Sequence, residues 1–154
     1  MKILKIISIL SIVFLILGCE DKKEEFIKTE DKNIVDSKRW YSNEMAQKGK
    51  VVYSNNCAYC HGTNGEGVIL PWNQKMDDGR YPPPPLNDDA HAWHHPIKAL
   101  RFTINEGGKP IGGVMPAFKD KLSSQDVDNV IAHIQSFWSD PYYEEWLKRD
   151  GLNK

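Results

Sequence analysis

The chain has 154 residues, 40% of them hydrophobic, with 20 basic against 21 acidic side chains and a formal net charge of −1. That balance excludes the strongly basic footprint of a nucleic-acid-binding protein, and the length suits one small domain. Three cysteines are too few for a disulfide framework and odd in number, so each thiol needs its own use.

Residues 1–18 read as a targeting segment. Lys2 and Lys5 give a positive start, and Ile6 to Leu17 form an apolar run broken only by Ser8 and Ser11. A membrane-crossing helix needs about 20 residues; this shorter run with basic flanks suits a signal peptide. It ends at Ile16-Leu17-Gly18-Cys19, which resembles a bacterial lipoprotein signal, although Ile16 and Leu17 depart from the usual residues. The resemblance implies cleavage before Cys19, lipidation of its thiol, and display of the chain on the periplasmic side of a bacterial membrane. An uncleaved N-terminal anchor would leave the domain on the same side. Loss of Lys2 and Lys5 leaves 18 basic and 21 acidic residues, a net charge of 18 − 21 = −3. Residues 19–39 are charged and lack a helical period, which predicts a flexible tether. Residues 40–154 then form the domain.

Three amphipathic helices stand out in that domain, and no segment alternates convincingly as a strand. The first spans Asn43 to Asn55, with Ser42 as N-cap and Met45 and Val52 towards one face. Gly49 lowers helix stability, which predicts close approach of another helix there. Immediately after comes Cys57-Ala58-Tyr59-Cys60-His61, the C-x-x-C-H pentapeptide of covalent haem attachment. Its two thiols match the two vinyl groups on one porphyrin edge, and His61 follows as proximal iron ligand. A thioredoxin-like C-x-x-C would need a βαβ pattern nearby, and none is present.

Residues 62–95 carry little regular patterning, a length that is unusual unless the loop has a task. Wrapping the haem is such a task. His91-Ala92-Trp93-His94-His95-Pro96 closes the stretch. These histidines and Trp93 are candidates to donate hydrogen bonds to haem propionates or to cap the next helix. A bis-histidine iron or a second metal are competing uses, since imidazole suits copper and zinc. The second helix starts around Pro96, carries Ile97, Leu100, Arg101 and Ile104, and ends at Gly107-Gly108.

Met115 is the leading distal ligand. It stands in Gly112-Gly113-Val114-Met115-Pro116, where glycine permits a sharp turn and proline stiffens the chain. Met45 on the first helix reads as core filling, and Met76 lies in a polar loop. Met/His ligation would raise the reduction potential. Lys109, Lys119 and Lys121 flank this loop as a possible basic docking rim. The third helix opens with Ser123 and Asp126 in a capping-box pattern. Val127, Val130, Ile131, Ile134 and Phe137 or Trp138 follow as an apolar stripe, with His133 at its margin. Asp140-Pro141 is expected to stop it, and Tyr142 to Asp150 to add a short helical extension.

From Trp40 to Trp138 the chain resembles class I cytochrome c, and within it bacterial lipoprotein-like monohaem c-type cytochromes. A helix precedes C-x-x-C-H, a Pro-rich stretch follows, and a Gly-flanked Met-Pro precedes the last helix. The resemblance implies an all-α cytochrome c-like fold, with long loops around one covalent haem c. It implies thioethers at Cys57 and Cys60, axial ligation by His61 and Met115, and packing of Gly49 and Tyr53 against the last helix. Pro84 and Leu86 match a P-x-L element whose proline carbonyl accepts the proximal imidazole N–H. His133 departs from the aromatic that many relatives place there.

The expected function is a membrane-anchored one-electron carrier between redox-protein donors and acceptors, without substrate chemistry. Alternatives are a haem enzyme or gas sensor with a displaceable distal ligand, and a copper- or thiol-handling lipoprotein.

Overall fold

The computed structural model describes residues 39–153; the targeting segment, Cys19 and the tether as far as residue 38 lie outside them. Regular structure among the described residues is entirely helical: α1 (Asn43–Asn56), α2 (Ala58–His61), α3 (Ile97–Glu106), α4 (Ser124–Gln135) and α5 (Asp140–Lys148). None of these helices is long and apolar enough to cross a membrane.

The ends of the helices follow from local chemistry. At α1, the Met45 N–H donates to Ser42 Oγ at 3.2 Å, satisfying one of the free donors of a first turn. At α4 a full capping box forms. The Asp126 N–H donates to Ser123 Oγ and the Ser123 N–H donates to the Asp126 carboxylate, each at 3.1 Å. The Asp126 carboxyl is accordingly held below its usual range by its bonds to Ser123.

α1 and α4 form the most extensive helix pair. Gly49 is where they meet: a Cβ there would fall 1.8 Å from the Asn129 carbonyl oxygen. The backbones therefore approach within a distance that excludes any side chain. Tyr53, one turn on, is buried and stands edge-on to His133 and Phe137, with ring centroids 5.2 and 5.4 Å away. His133 thus occupies an aromatic's place in the crossing rather than open solvent. Val127, Val130, Ile131 and Ile134 form the buried stripe of α4, and Arg101 on α3 donates to Asp128 on α4 at 2.7 Å.

Two boundaries differ from the sequence expectation. α4 already ends at Gln135, ahead of Asp140-Pro141, which instead begins α5, where proline is tolerated because first-turn N–H groups lack partners anyway. Tyr143 and Trp146 bury α5 against the domain, and the Trp146 indole N–H donates to the His95 carbonyl at 2.8 Å. Arg39, expected at the end of the tether, belongs to the packed domain. It lies over the Tyr143 ring at 4.0 Å and donates to the Gln135 and Trp138 carbonyls and to Asp140.

Candidate functional site

A single turn carries the C-x-x-C-H residues. α1 ends at Asn56, Cys57 acts as a cap whose N–H still bonds to the Tyr53 carbonyl, and α2 then presents Cys60 and His61. The Tyr53 hydroxyl reaches across and donates to the Gly62 carbonyl at 2.7 Å. Cys57 and Cys60 are not joined by a disulfide. Burial, and then the neighbouring Cys60, pushes the Cys57 thiol up to about 11, so it stays neutral.

His61 is buried, and its Nδ1 lies 2.8 Å from the Pro84 carbonyl oxygen. A carbonyl only accepts, so Nδ1 carries the proton and Nε2 keeps its lone pair. Burial lowers the imidazole's affinity for a second proton, against the smaller opposing pull of that hydrogen bond. The result is a neutral, oriented imidazole with one free ligating nitrogen.

These groups open onto a cavity of about 620 Å³, within the roughly 300–1,000 Å³ of small-molecule and cofactor sites. Cys57, Cys60 and His61 line it from α1 and α2. Pro82 to Leu86 line it from the long loop, Leu100, Thr103 and Ile104 from α3, Val114 and Met115 from the following loop, and Ile131 and Ile134 from α4. Of the sequence candidates, Cys57, Cys60, His61, Pro84, Leu86 and Met115 are brought together here. Met45 instead packs against the core, and Met76 closes a polar turn through its N–H to Arg80.

The Met115 loop is held by backbone bonds. The Gly108 N–H donates to the Met115 carbonyl and the Gly113 N–H to the Gly108 carbonyl, both at 2.9 Å. Gly107 adopts φ +76°, and a Cβ there would lie 2.6 Å from the Met115 carbonyl oxygen. Only glycine fits that bend.

Trp93 lies beside the histidines of the long loop. It is absent from the lining, and packs instead against Tyr142 at 5.0 Å and beneath the Arg149 guanidinium. His94 also stays outside the lining, whereas His91 and His95 enter it. No group of three or more His, Cys, Asp or Glu side chains is arranged to hold a metal ion among the described residues. Of the three lysines around the Met115 loop, Lys119 is committed to Glu106 at 2.9 Å. Sequence reasoning missed Trp72, Asn73 and Tyr81 in the lining. They sit in a segment without period, so no pattern marked them.

The donor set fits a covalently held haem on chemical grounds. Two thiols and an imidazole with a bare Nε2 meet a largely apolar cavity, and a thioether sulfur is in the same lining.

Comparison with known proteins agrees. Residues 44–134 match the family model described as cytochrome c oxidase, cbb3-type, subunit III. The chain is 35% identical over 94 residues to the cbb3-type cytochrome c oxidase subunit FixP of Azorhizobium caulinodans, covering 58% of this chain and 28% of that protein. It is 31% identical over 100 residues to the subunit CcoP of Azospirillum brasilense, covering 65% of this chain and 31% of that one. The chain therefore spans under a third of these relatives. Among solved structures, cytochrome cL of Methylophaga aminisulfidivorans shares the fold at a TM-score of 0.51 and 21% identity, over 73% of this chain and 67% of that chain.

Proposed function

We propose a function from one premise: the chain belongs to the cytochrome c family, in the group described as cbb3-type oxidase subunit III. Membership implies a covalently bound haem c, and the proposed role is one-electron transfer between extracytoplasmic redox partners. When bound, the haem supplies a reversible one-electron iron couple whose potential its surroundings set.

The chain's own residues have distinct tasks in this reading. Cys57 and Cys60 hold the group as thioethers, so it cannot dissociate. His61 would supply Nε2 to the iron, while the Pro84 carbonyl fixes its tautomer and ring angle. Met115 would supply a thioether sulfur to the iron, which favours a raised potential. Leu86, Leu100, Ile104, Ile131 and Ile134 line the cavity and would keep water from the bound group. Cys19 carries a lipid that ties the domain to the membrane, and redox proteins serve as donor and acceptor.

The observation that carries this reading is the convergence of both thiols, the oriented imidazole and the Met115 thioether on one apolar cavity. A redox-poised absorption spectrum of protein matured in a host competent for haem attachment tests it. The expected result is a covalent, low-spin haem with the weak near-infrared band of sulfur ligation, lost in Met115→Ala. A high-spin wild-type spectrum with rapid carbon monoxide binding would instead favour an enzyme or gas sensor. A second reading is a carrier module working inside a larger redox assembly; the oxidase-subunit names of its relatives favour it. Co-purification with an oxidase after mild detergent extraction would distinguish that from a free carrier.

A further inference from the structure

One wall of the cavity has no task in the function above. His91 and His95 line it with ring centroids 5.4 Å apart, and Trp72 stacks on His91 at 5.0 Å. Asn73 and Tyr81 line the same cavity, whereas α3 and α4 offer it chiefly aliphatic side chains. Haem has two unlike edges: one bears vinyl groups, and another bears two carboxylates. Cys57 and Cys60 commit the vinyl groups to the α1–α2 side. The carboxylates then need polar partners, because an unpaired charge against aliphatic helices is strongly disfavoured. The segment between residues 72 and 95 is where such partners gather.

We propose that His91 and His95 hold the haem carboxylates and carry a redox-linked proton, so that this chain takes up a proton as it takes up an electron. The inference rests on the carrier reading and deepens it. Electron uptake makes the cavity more negative, and an added negative charge nearby favours the protonated imidazole. His91 and His95 then draw a proton from solvent as the redox donor supplies the electron, and both leave on oxidation.

The other titratable groups around the pair do not supply this response readily. His94 lies 6.3 Å from His91 and, unlike His91 and His95, is not in the cavity lining. Tyr81 is a phenol. Glu66 and Asp89 line a neighbouring hollow that shares Trp72 and Asn73 with the cavity. α3, α4 and the Met115 loop place no charged side chain in the lining. Burial, followed by the neighbouring imidazoles, holds both His91 and His95 below the ordinary histidine value. Carboxylates beside them act in the opposite direction and return them towards neutrality.

The sign is defined: with the proton favoured in the reduced state, the potential falls as pH rises through the histidine range. The limiting slope is tenfold in the reduction equilibrium per pH unit, which is about 59 mV for one electron. Midpoint potentials of the haem-loaded chain, taken from about pH 5 to 9, test this. Wild type and His94→Asn are expected to slope, His91→Asn and His95→Asn to slope less, and the double variant to be flat. A flat wild type, or an undiminished slope in the double variant, overturns the proposal. Should the double variant fail to load haem, proton NMR titration of the wild-type imidazoles decides. His91 and His95 must titrate higher in the reduced than in the oxidised protein, and equal values overturn it. A reversible couple without pH dependence removes this inference alone, whereas absence of any haem couple removes the carrier reading with it.

Discussion

The α1–α4 crossing and the loop wall between residues 62 and 95 enclose the same cavity by opposite means. At the crossing, two backbones touch through Gly49, and rings of Tyr53, His133 and Phe137 interlock around that point. Shape does the work, and there is no slack. The loop wall has little periodic structure and is pinned at separate polar points. Leu86 N–H donates to the Gly65 carbonyl, Trp138 Nε1–H to the Leu86 carbonyl, and His61 Nδ1–H to the Pro84 carbonyl. The difference teaches that the helices decide whether the domain exists, while the pins decide how the imidazole is presented. Damage to the first should appear as lost stability, and damage to the second as an altered redox centre in a folded protein.

Gly49→Val is the harshest way to break that contrast. Its Cβ would overlap the Asn129 carbonyl, and backbone cannot step aside as a flexible side chain can. A loss above about 4 kcal/mol is expected, a range reached only by severe disruptions and a large part of a small domain's stability. Denaturant titration of haem-loaded protein measures it; a midpoint close to wild type would show that the helices can slide apart cheaply. Trp138→Phe comes next. It keeps an aromatic ring but leaves the Leu86 carbonyl without its 2.8 Å donor, at a cost of about 1–3 kcal/mol. Because Leu86 is two residues from Pro84, the potential should shift as well. A stability loss with an unmoved potential would argue against the pinning role.

Tyr53 belongs to both regions, its ring in the crossing and its hydroxyl on the Gly62 carbonyl. Tyr53→Phe separates them, since the ring stays and only the bond at 2.7 Å goes. About 0.5–1.5 kcal/mol is expected, the ordinary net value of one hydrogen bond. Thermal unfolding of the haem-loaded protein should show a shift of a few degrees. A collapse comparable with Gly49→Val would mean that the hydroxyl organises the crossing too.

The same contrast explains what was legible in the sequence. Helix starts are written locally, so Ser42, and Ser123 with Asp126, marked α1 and α4 directly. The stripe Val127, Val130, Ile131 and Ile134 gave the buried face of α4, and Gly49 announced a close neighbour. C-x-x-C-H and Gly-Gly-Val-Met-Pro were readable because their chemistry is carried by adjacent residues. The loop wall was not readable in that way. Which of four prolines reaches His61 depends on how a 23-residue separation closes in space, and no local preference encodes it. Trp93 was placed in the pocket by its company with histidines. Its contacts with Tyr142 and Arg149 come from α5 and the turn after it, elements more than forty residues away. Arg39 was assigned to the tether on composition alone, although its partners lie about a hundred residues further on.

The gentlest probe of the crossing is acid. His133 is half-buried between Tyr53 and Phe137, and burial, aided by Lys50, lowers its affinity for a proton below the ordinary value. Above about pH 6.5, the ordinary histidine value, the imidazole is neutral in folded and unfolded chains alike, and it contributes no pH dependence. As pH falls below that value, the unfolded chain binds a proton that the folded chain resists, so stability is lost. His133→Phe removes the titration and keeps a ring in the crossing. Its melting temperature should therefore fall less than wild type's between about pH 7.5 and 5. Equal losses in both proteins would move the acid sensitivity away from the helix crossing.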